Sequence, residues 1–166
     1  TPRADAVLFR DHRVRAGTLA IVNLGGFVNV TLLPEPSDAD DGIFDGVEGF
    51  DCCPCNHVLD AAAEELLGTP FDVDGGVAMT GTPDESAADR LRDSISQLFR
   101  AGRSGGDGDE ARNLAIEVAR SAGSPADGLA TLHRAVASAV IDCVQTRCDE
   151  RGIQRPGEFV LAGGGV

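Results

Sequence analysis

The sequence predicts an α/β fold, a mixed sheet that includes a β-hairpin and carries flanking helices. Three observations predict it. Short apolar, β-branched runs bounded by glycine or proline occur near residues 20–33. Long stretches with apolar residues at helical spacing follow. A last apolar run then leads into three consecutive glycines. Strand runs and helical runs that alternate in this way place helices over a sheet.

Ala20-Ile21-Val22-Asn23-Leu24 has the make-up of a buried strand. Gly25-Gly26 then turns the chain, and Phe27-Val28-Asn29-Val30-Thr31-Leu32-Leu33 returns it before Pro34. Two such runs joined by Gly-Gly read as a β-hairpin. A loop rich in Pro and Asp over 34–42 leads to a third strand near 47–51. From Asn56, the spacing of Val58, Leu59, Ala62, Ala63, Leu66 and Leu67 predicts a helix that Gly68 ends.

Phe71-Asp72-Val73-Asp74-Gly75-Gly76 reads as a loop. Thr82-Pro83-Asp84-Glu85 then has the form of a capping box, with Thr82 as cap and Glu85 three residues on. The helix it opens would bury Ala87, Ala88, Leu91, Ile95, Leu98 and Phe99. A glycine-rich break over 102–108 precedes a modest helix over 110–121. Ser124-Pro125-Ala126-Asp127 repeats the capping signal and opens the longest helix. Its inner face would be Leu129, Leu132, Val136, Val140, Cys143, Val144 and Arg147, with Gly152 as its stop. Phe159-Val160-Leu161-Ala162 is expected to be a last buried strand, packed with the others in one sheet under the long helix.

Composition narrows the function. The 166 residues suffice for one domain and one core, built from aliphatic side chains, since there are 7 Phe and no Trp or Tyr. A net charge of −13 argues against a nucleic-acid partner, because binding phosphates takes clustered Lys and Arg. No apolar run of about 20 residues exists to span a membrane, and no signal peptide is visible. Cys52, Cys53 and Cys55 are crowded together, with Cys143 and Cys148 far along the chain. Such spacing does not make a disulfide framework, so reduced thiols in the cytoplasm are expected. With His57 they could also be soft-metal ligands. Against this, adjacent cysteines point apart and no second pair follows at zinc-finger spacing, so no metal site is assigned. His12 and His133 read as a surface and a helix-face residue.

Three glycine-bearing segments sit at strand ends: Asn23-Leu24-Gly25-Gly26, Gly49-Phe50-Asp51 with an expected turn after it, and Ala162-Gly163-Gly164-Gly165. Glycine lets backbone N–H groups approach phosphate oxygens with no Cβ between. Each alone reads as a plain tight turn; the three together point to one ligand cleft. Neither a GxGxxG nor a GxxxxGK[ST] pattern is present. Asp51, expected at a strand end before a turn and helix, could act as a general base in phosphoryl transfer or could cap the turn.

Several segments in order resemble one family. Residues 21–31, Ile-Val-Asn-Leu-Gly-Gly-Phe-Val-Asn-Val-Thr, resemble its N-[IL]-G-G-[IF]-x-N-[LV]-T segment. Gly49-Phe50-Asp51-Cys52-Cys53-Pro54-Cys55-Asn56, with Leu59-Asp60, is similar to its G-F-D-T-G-P-G-N…[ML]-D. Asp72-Val73-Asp74-Gly75, Asp127-Gly128-Leu129-Ala130-Thr131-Leu132 and Leu161-Ala162-Gly163-Gly164-Gly165 resemble three further motifs. The family is that of the anhydro-N-acetylmuramic acid kinases, in the sugar kinase, actin and Hsp70-type ATPase superfamily.

The resemblance implies an RNase H-like (actin-like ATPase) lobe, ATP with Mg²⁺ as cofactor and a small sugar as substrate. Asn23, Gly25 and Gly26 would approach the phosphates. Gly163, Gly164 and Gly165 would approach the adenosine. Pro54, Cys55 and Asn56 would meet the sugar. Asp51 would activate the water that opens the 1,6-anhydro ring while O6 is phosphorylated, giving N-acetylmuramic acid 6-phosphate, an intermediate of cell-wall recycling.

It also implies domain boundaries. Residues 1–19 would be the end of an upstream segment or an inter-lobe connection. Residues 20–166 would be a second lobe, cut at both ends. The partner is then the first lobe of the same polypeptide, and a homodimer is left open. The isolated segment is expected to be inactive.

The departures count too. The family's Thr-Gly-Pro-Gly is here Cys52-Cys53-Pro54-Cys55, so any positive φ at the lost glycines would now be strained. Its Pro-Lys-Ser-Thr-Gly-Arg-Glu stretch has no counterpart near 97–104, and its first phosphate loop would lie upstream of Thr1. Two other readings therefore stand beside the kinase: a non-catalytic homologue that keeps nucleotide or sugar binding, and a metal- or redox-responsive cysteine module.

Overall fold

The computed structural model describes residues 2–12, 17–35, 42–100 and 108–164. Gly165, most of the 34–42 loop, nearly all of the 102–108 break and the side chains of Leu98 and Phe99 lie outside them. The elements run α1 (Pro2–Leu8), β1 (Leu19–Leu24), β2 (Phe27–Leu33), β3 (Glu48–Pro54), α2 (Asn56–Leu67), α3 (Glu85–Arg100), α4 (Gly108–Arg120), α5 (Pro125–Arg151) and β4 (Glu158–Ala162). Short 3₁₀ turns occupy Gly42–Phe44, Val73–Gly75 and Ala78–Thr80. The chain forms two compact units, one of residues 1–52 with 142–166 and one of 53–141.

The first unit holds the sheet, in the order β3-β2-β1-β4. β1 and β2 pair antiparallel with Val22 opposite Val30 and Asn23 opposite Asn29, which is the expected hairpin. β4 pairs with β1 in parallel, Asn23 opposite Ala162. The mixed sheet follows directly from these two ladders.

Both faces of the sheet's centre are covered. On one face Leu19, Ile21 and Leu33 form a small core with Ala6 of α1, and Phe9, Val47 and Val160 pack against it. Asp5 of α1 accepts a hydrogen bond from the Thr31 hydroxyl at 2.7 Å. Pro2 presses on β3 so closely that a Cβ on Gly49 would stand 2.2 Å from its Cγ. The short helix α1 was not foreseen; at 7 residues it is too short for periodicity to reveal it. The final turns of α5 reach the same strand, where the Arg151 Nε donates to Glu48 Oε1 at 2.8 Å.

Two expectations about strands are corrected. β3 does not end at Asp51 with a turn; it runs on through Cys52 and Cys53 to Pro54, and Cys55 alone separates it from α2. Cysteine accepts extended backbone readily, so the strand continues. β4 is not buried: its pattern is exposed throughout except at Val160, with Phe159 40% and Leu161 55% exposed. It forms an outer edge of the sheet, which a run of apolar residues cannot reveal by itself.

In the second unit α2 ends as expected, with Gly68 left-handed at φ +68° and its N–H donating to the Glu64 carbonyl. α3 starts later than the capping signal indicates. Its cap is Asp84, whose Oδ1 accepts from the Ala87 N–H at 3.0 Å and from the Ser86 hydroxyl at 2.8 Å. Thr82 instead donates its N–H to Asp127 Oδ1 at 2.7 Å, and Glu85 pairs with Arg134. Tertiary partners have displaced the local box by two residues. The cap of α5 forms as expected: the Asp127 N–H donates to Ser124 Oγ, and the Ser124 hydroxyl donates back to Asp127 Oδ2.

Candidate functional site

The candidate site is assembled from the first unit's sheet. β1 delivers Asn23 and the turn at Gly25 and Gly26; β4, parallel to it, delivers Gly163 and Gly164. Parallel pairing puts both glycine turns at the same ends of neighbouring strands. They touch: Gly163 has φ +104°, and a Cβ built on it would lie 2.6 Å from the Leu24 carbonyl oxygen and 2.7 Å from Asn23 Oδ1. Only glycine fits such an approach. Around Gly164 a Cβ would meet nothing within 4 Å, so backbone is open to a ligand there. At Gly25 a Cβ would sit 3.3 Å from the Phe27 carbonyl.

Asp51 lies on β3, two strands from β1, which sets their axes roughly 10 Å apart. Its side chain is exposed. The alternation of a strand decides which way it points. Gly49, two residues earlier, faces α1 through Pro2, so Asp51 stands on that face. Asn23, two residues after Ile21, stands on the face that Ala6 of α1 covers. Asp51 and Asn23 therefore share one face of the sheet.

In the second unit, Cys53, Pro54 and Cys55 are buried and Asn56 is half-buried. Cys55 is 3% exposed, and its thiol donates to Asn56 Oδ1 at 3.6 Å. Burial first, then the neighbouring Cys53 and Asp60, push that thiol up to about 11, so it stays protonated at neutral pH. The positive φ that the lost glycines would have supplied is not adopted here. Cys55 has φ −129°, and Asp74 is the only described non-glycine residue with positive φ. No disulfide joins the described cysteines. Among the described residues no three His, Cys, Asp or Glu side chains come together as metal ligands.

Two of the motifs form a structural knot, a role that sequence reasoning did not assign. A Cβ on Gly81 would lie 2.1 Å from the Ala126 carbonyl oxygen, and one on Gly128 would lie 2.5 Å from that of Ala119. The Asp84 N–H donates to Thr131 Oγ1, and the Thr131 hydroxyl donates to the Asp127 carbonyl. Asp72 accepts from the N–H groups of Val77 and Ala78, closing the loop in which Asp74 and Gly75 are left-handed.

The glycine turns fit a nucleotide in one respect: glycine backbone at two adjacent strand ends puts no Cβ between its N–H groups and an anionic oxygen. Among the described residues no helix is long and apolar enough to cross a membrane.

Comparison with known proteins identifies the family. The family model for anhydro-N-acetylmuramic acid kinase matches residues 1–166. A protein of that name from Prochlorococcus marinus (strain MIT 9303) is 33% identical over 168 residues, 99% of this chain and 43% of that protein. One from Burkholderia thailandensis is 37% identical over 129 residues, 75% of this chain and 33% of its own length. One from Salinibacter ruber is 34% identical over 154 residues, covering 88% and 36%. The chain thus spans well under half the length of these curated relatives. It belongs to the anhydro-N-acetylmuramic acid kinase family.

Proposed function

From that membership we propose that the chain is the second, nucleotide-facing lobe of an ATP-dependent kinase. The kinase opens the 1,6-anhydro ring of anhydro-N-acetylmuramic acid and phosphorylates O6. The observation that carries the reading is the shared face of Asn23 and Asp51, beside a turn that only Gly163 can make.

Asn23, Gly25 and Gly26 would approach the phosphates. Gly163 and Gly164, with Gly165 beyond the described residues, would approach the adenosine. Bound ATP, with Mg²⁺, supplies the phosphoryl group. Asp51, exposed on β3, takes a proton from a water as that water attacks the anomeric carbon. The bond from that carbon to O6 breaks, and the freed O6 is the phosphoryl acceptor. Pro54, Cys55 and Asn56 are proposed to contact the sugar. The side chains of Pro54 and Cys55 are buried, so these contacts fall to backbone and to Asn56.

Asp51→Asn in the complete polypeptide tests the assignment. The amide keeps the shape but cannot take a proton. Turnover should fall by about 10²–10⁴-fold while ATP affinity, read by calorimetry, stays nearly unchanged. Near-wild-type turnover by this variant would refute Asp51 as the base. Absence of turnover in the unsubstituted polypeptide would favour a non-catalytic homologue, the reading that the buried cysteines at the glycine positions support.

A further inference from the structure

We propose that Arg147 is a positioning residue for Asp51, an inference that rests on Asp51 being the base. β3 is an edge strand, so β2 alone in the described sheet pairs with it, and what holds it must come from its two faces. On the Asp51 face, Pro2 closes on Gly49. On the opposite face stand Glu48 and Phe50, whose alternation with Gly49 and Asp51 is that of any strand.

The last turns of α5 grip both residues. The Arg147 guanidinium lies 5.1 Å from the centroid of the Phe50 ring, within the range of a cation–π contact. Its Nε is 3.9 Å from Glu48 Oε2, and its Nη1 is 3.6 Å from Glu150 Oε2. Arg151 shares Glu48, whereas among the described residues the guanidinium over the Phe50 ring is that of Arg147. Arg147 and Glu48 are well shielded, at 33% and 22% side-chain exposure, against 56% for Arg151. Phe50 is covalently next to Asp51. A guanidinium held over its ring between two carboxylates fixes the backbone that aims the base, without touching the reacting atoms.

This grip is what a proton acceptor on an edge strand needs, because a displacement of about 1 Å at a reacting group can cost 10²-fold in rate. Lysine keeps the charge and can still stack on the ring, but loses the planar fork that reaches two carboxylates.

The test uses the complete polypeptide and compares five variants, the Phe50→Leu single among them, by kcat, by KM for ATP and by melting temperature. Arg147→Ala should lower kcat by about tenfold and leave KM for ATP within about twofold. Arg147→Lys should recover most of the loss. Arg151→Ala removes the shorter of the two Glu48 pairs but leaves the ring contact, and should keep kcat within about twofold. Phe50→Leu combined with Arg147→Ala should be no slower than the slower single variant, since both remove one contact. The inference is overturned if Arg147→Ala keeps wild-type kcat. It is also overturned if Arg147→Ala and Arg151→Ala lose kcat equally in step with melting temperature, which marks simple destabilisation. Asp51→Asn, measured alongside, separates the two ideas. If it keeps turnover, the base assignment fails. If it loses turnover while Arg147→Ala does not, only the positioning role fails.

Discussion

At the scale of single residues the account turns on Gly163 and Asp51. Gly163 has φ +104° and backs onto the Leu24 carbonyl. Gly163→Ala should therefore cost about 1–3 kcal/mol of stability, the usual cost of a strained left-handed residue, to which the clash at 2.6 Å adds. Chemical denaturation of the 166-residue chain measures it, and an unchanged midpoint would mean that the turn rearranges freely. Both residues were visible in the sequence, Gly163 as part of a triple glycine after a strand and Asp51 by its motif. Their relation was not. That Asn23 and Asp51 share a face depends on where α1 lies, and nothing in residues 2–8 announces a helix. The cysteines misled in the other direction: φ at Cys55 is negative, where a lost glycine had suggested a positive one.

At the scale of elements the best-determined feature is the start of α5. Ser124, Pro125 and Asp127 declare it locally, and the structure keeps the box and adds Thr82 to it. The Thr82 N–H first, then the Ser124 hydroxyl, hold the Asp127 carboxyl below its usual value of 3.8. The Ala87 N–H first, then the Ser86 hydroxyl, lower the Asp84 carboxyl likewise. A depressed carboxylate stabilises the fold above the unfolded pKa, and this contribution is lost as pH falls through the folded one. The melting temperature should thus decline as pH drops below about 4. Asp127→Asn should melt lower than wild type at neutral pH, and the gap should close in acid; a gap that is constant with pH would remove the carboxylate's charge from the explanation. The start of α3 was misplaced because its box, Thr82 to Glu85, loses both ends to tertiary partners that periodicity cannot foresee. The exposure of β4 escaped for a similar reason, since apolar content does not say whether a strand is central or at an edge.

At the scale of the whole molecule, the order of elements from β1 onward and the hairpin were legible because each rests on short-range pattern, and the union of β1, β2 and β4 in one sheet followed from the alternation of strands and helices. The division into two compact units was not, because it falls inside β3 and α5, where no composition changes. The family relation accounts for why the motifs stand in this order, and the curated relatives are more than twice as long as this chain. The central claim is tested most directly by supplying the complete polypeptide with anhydro-N-acetylmuramic acid, ATP and Mg²⁺ in ¹⁸O-enriched water and analysing the product by mass spectrometry. The account predicts N-acetylmuramic acid 6-phosphate with one ¹⁸O at the anomeric hydroxyl and none in the phosphate, no product from the 166-residue chain alone, and loss of product with Asp51→Asn. A phosphorylated sugar that still holds its anhydro ring, or ¹⁸O in the phosphate, would contradict it.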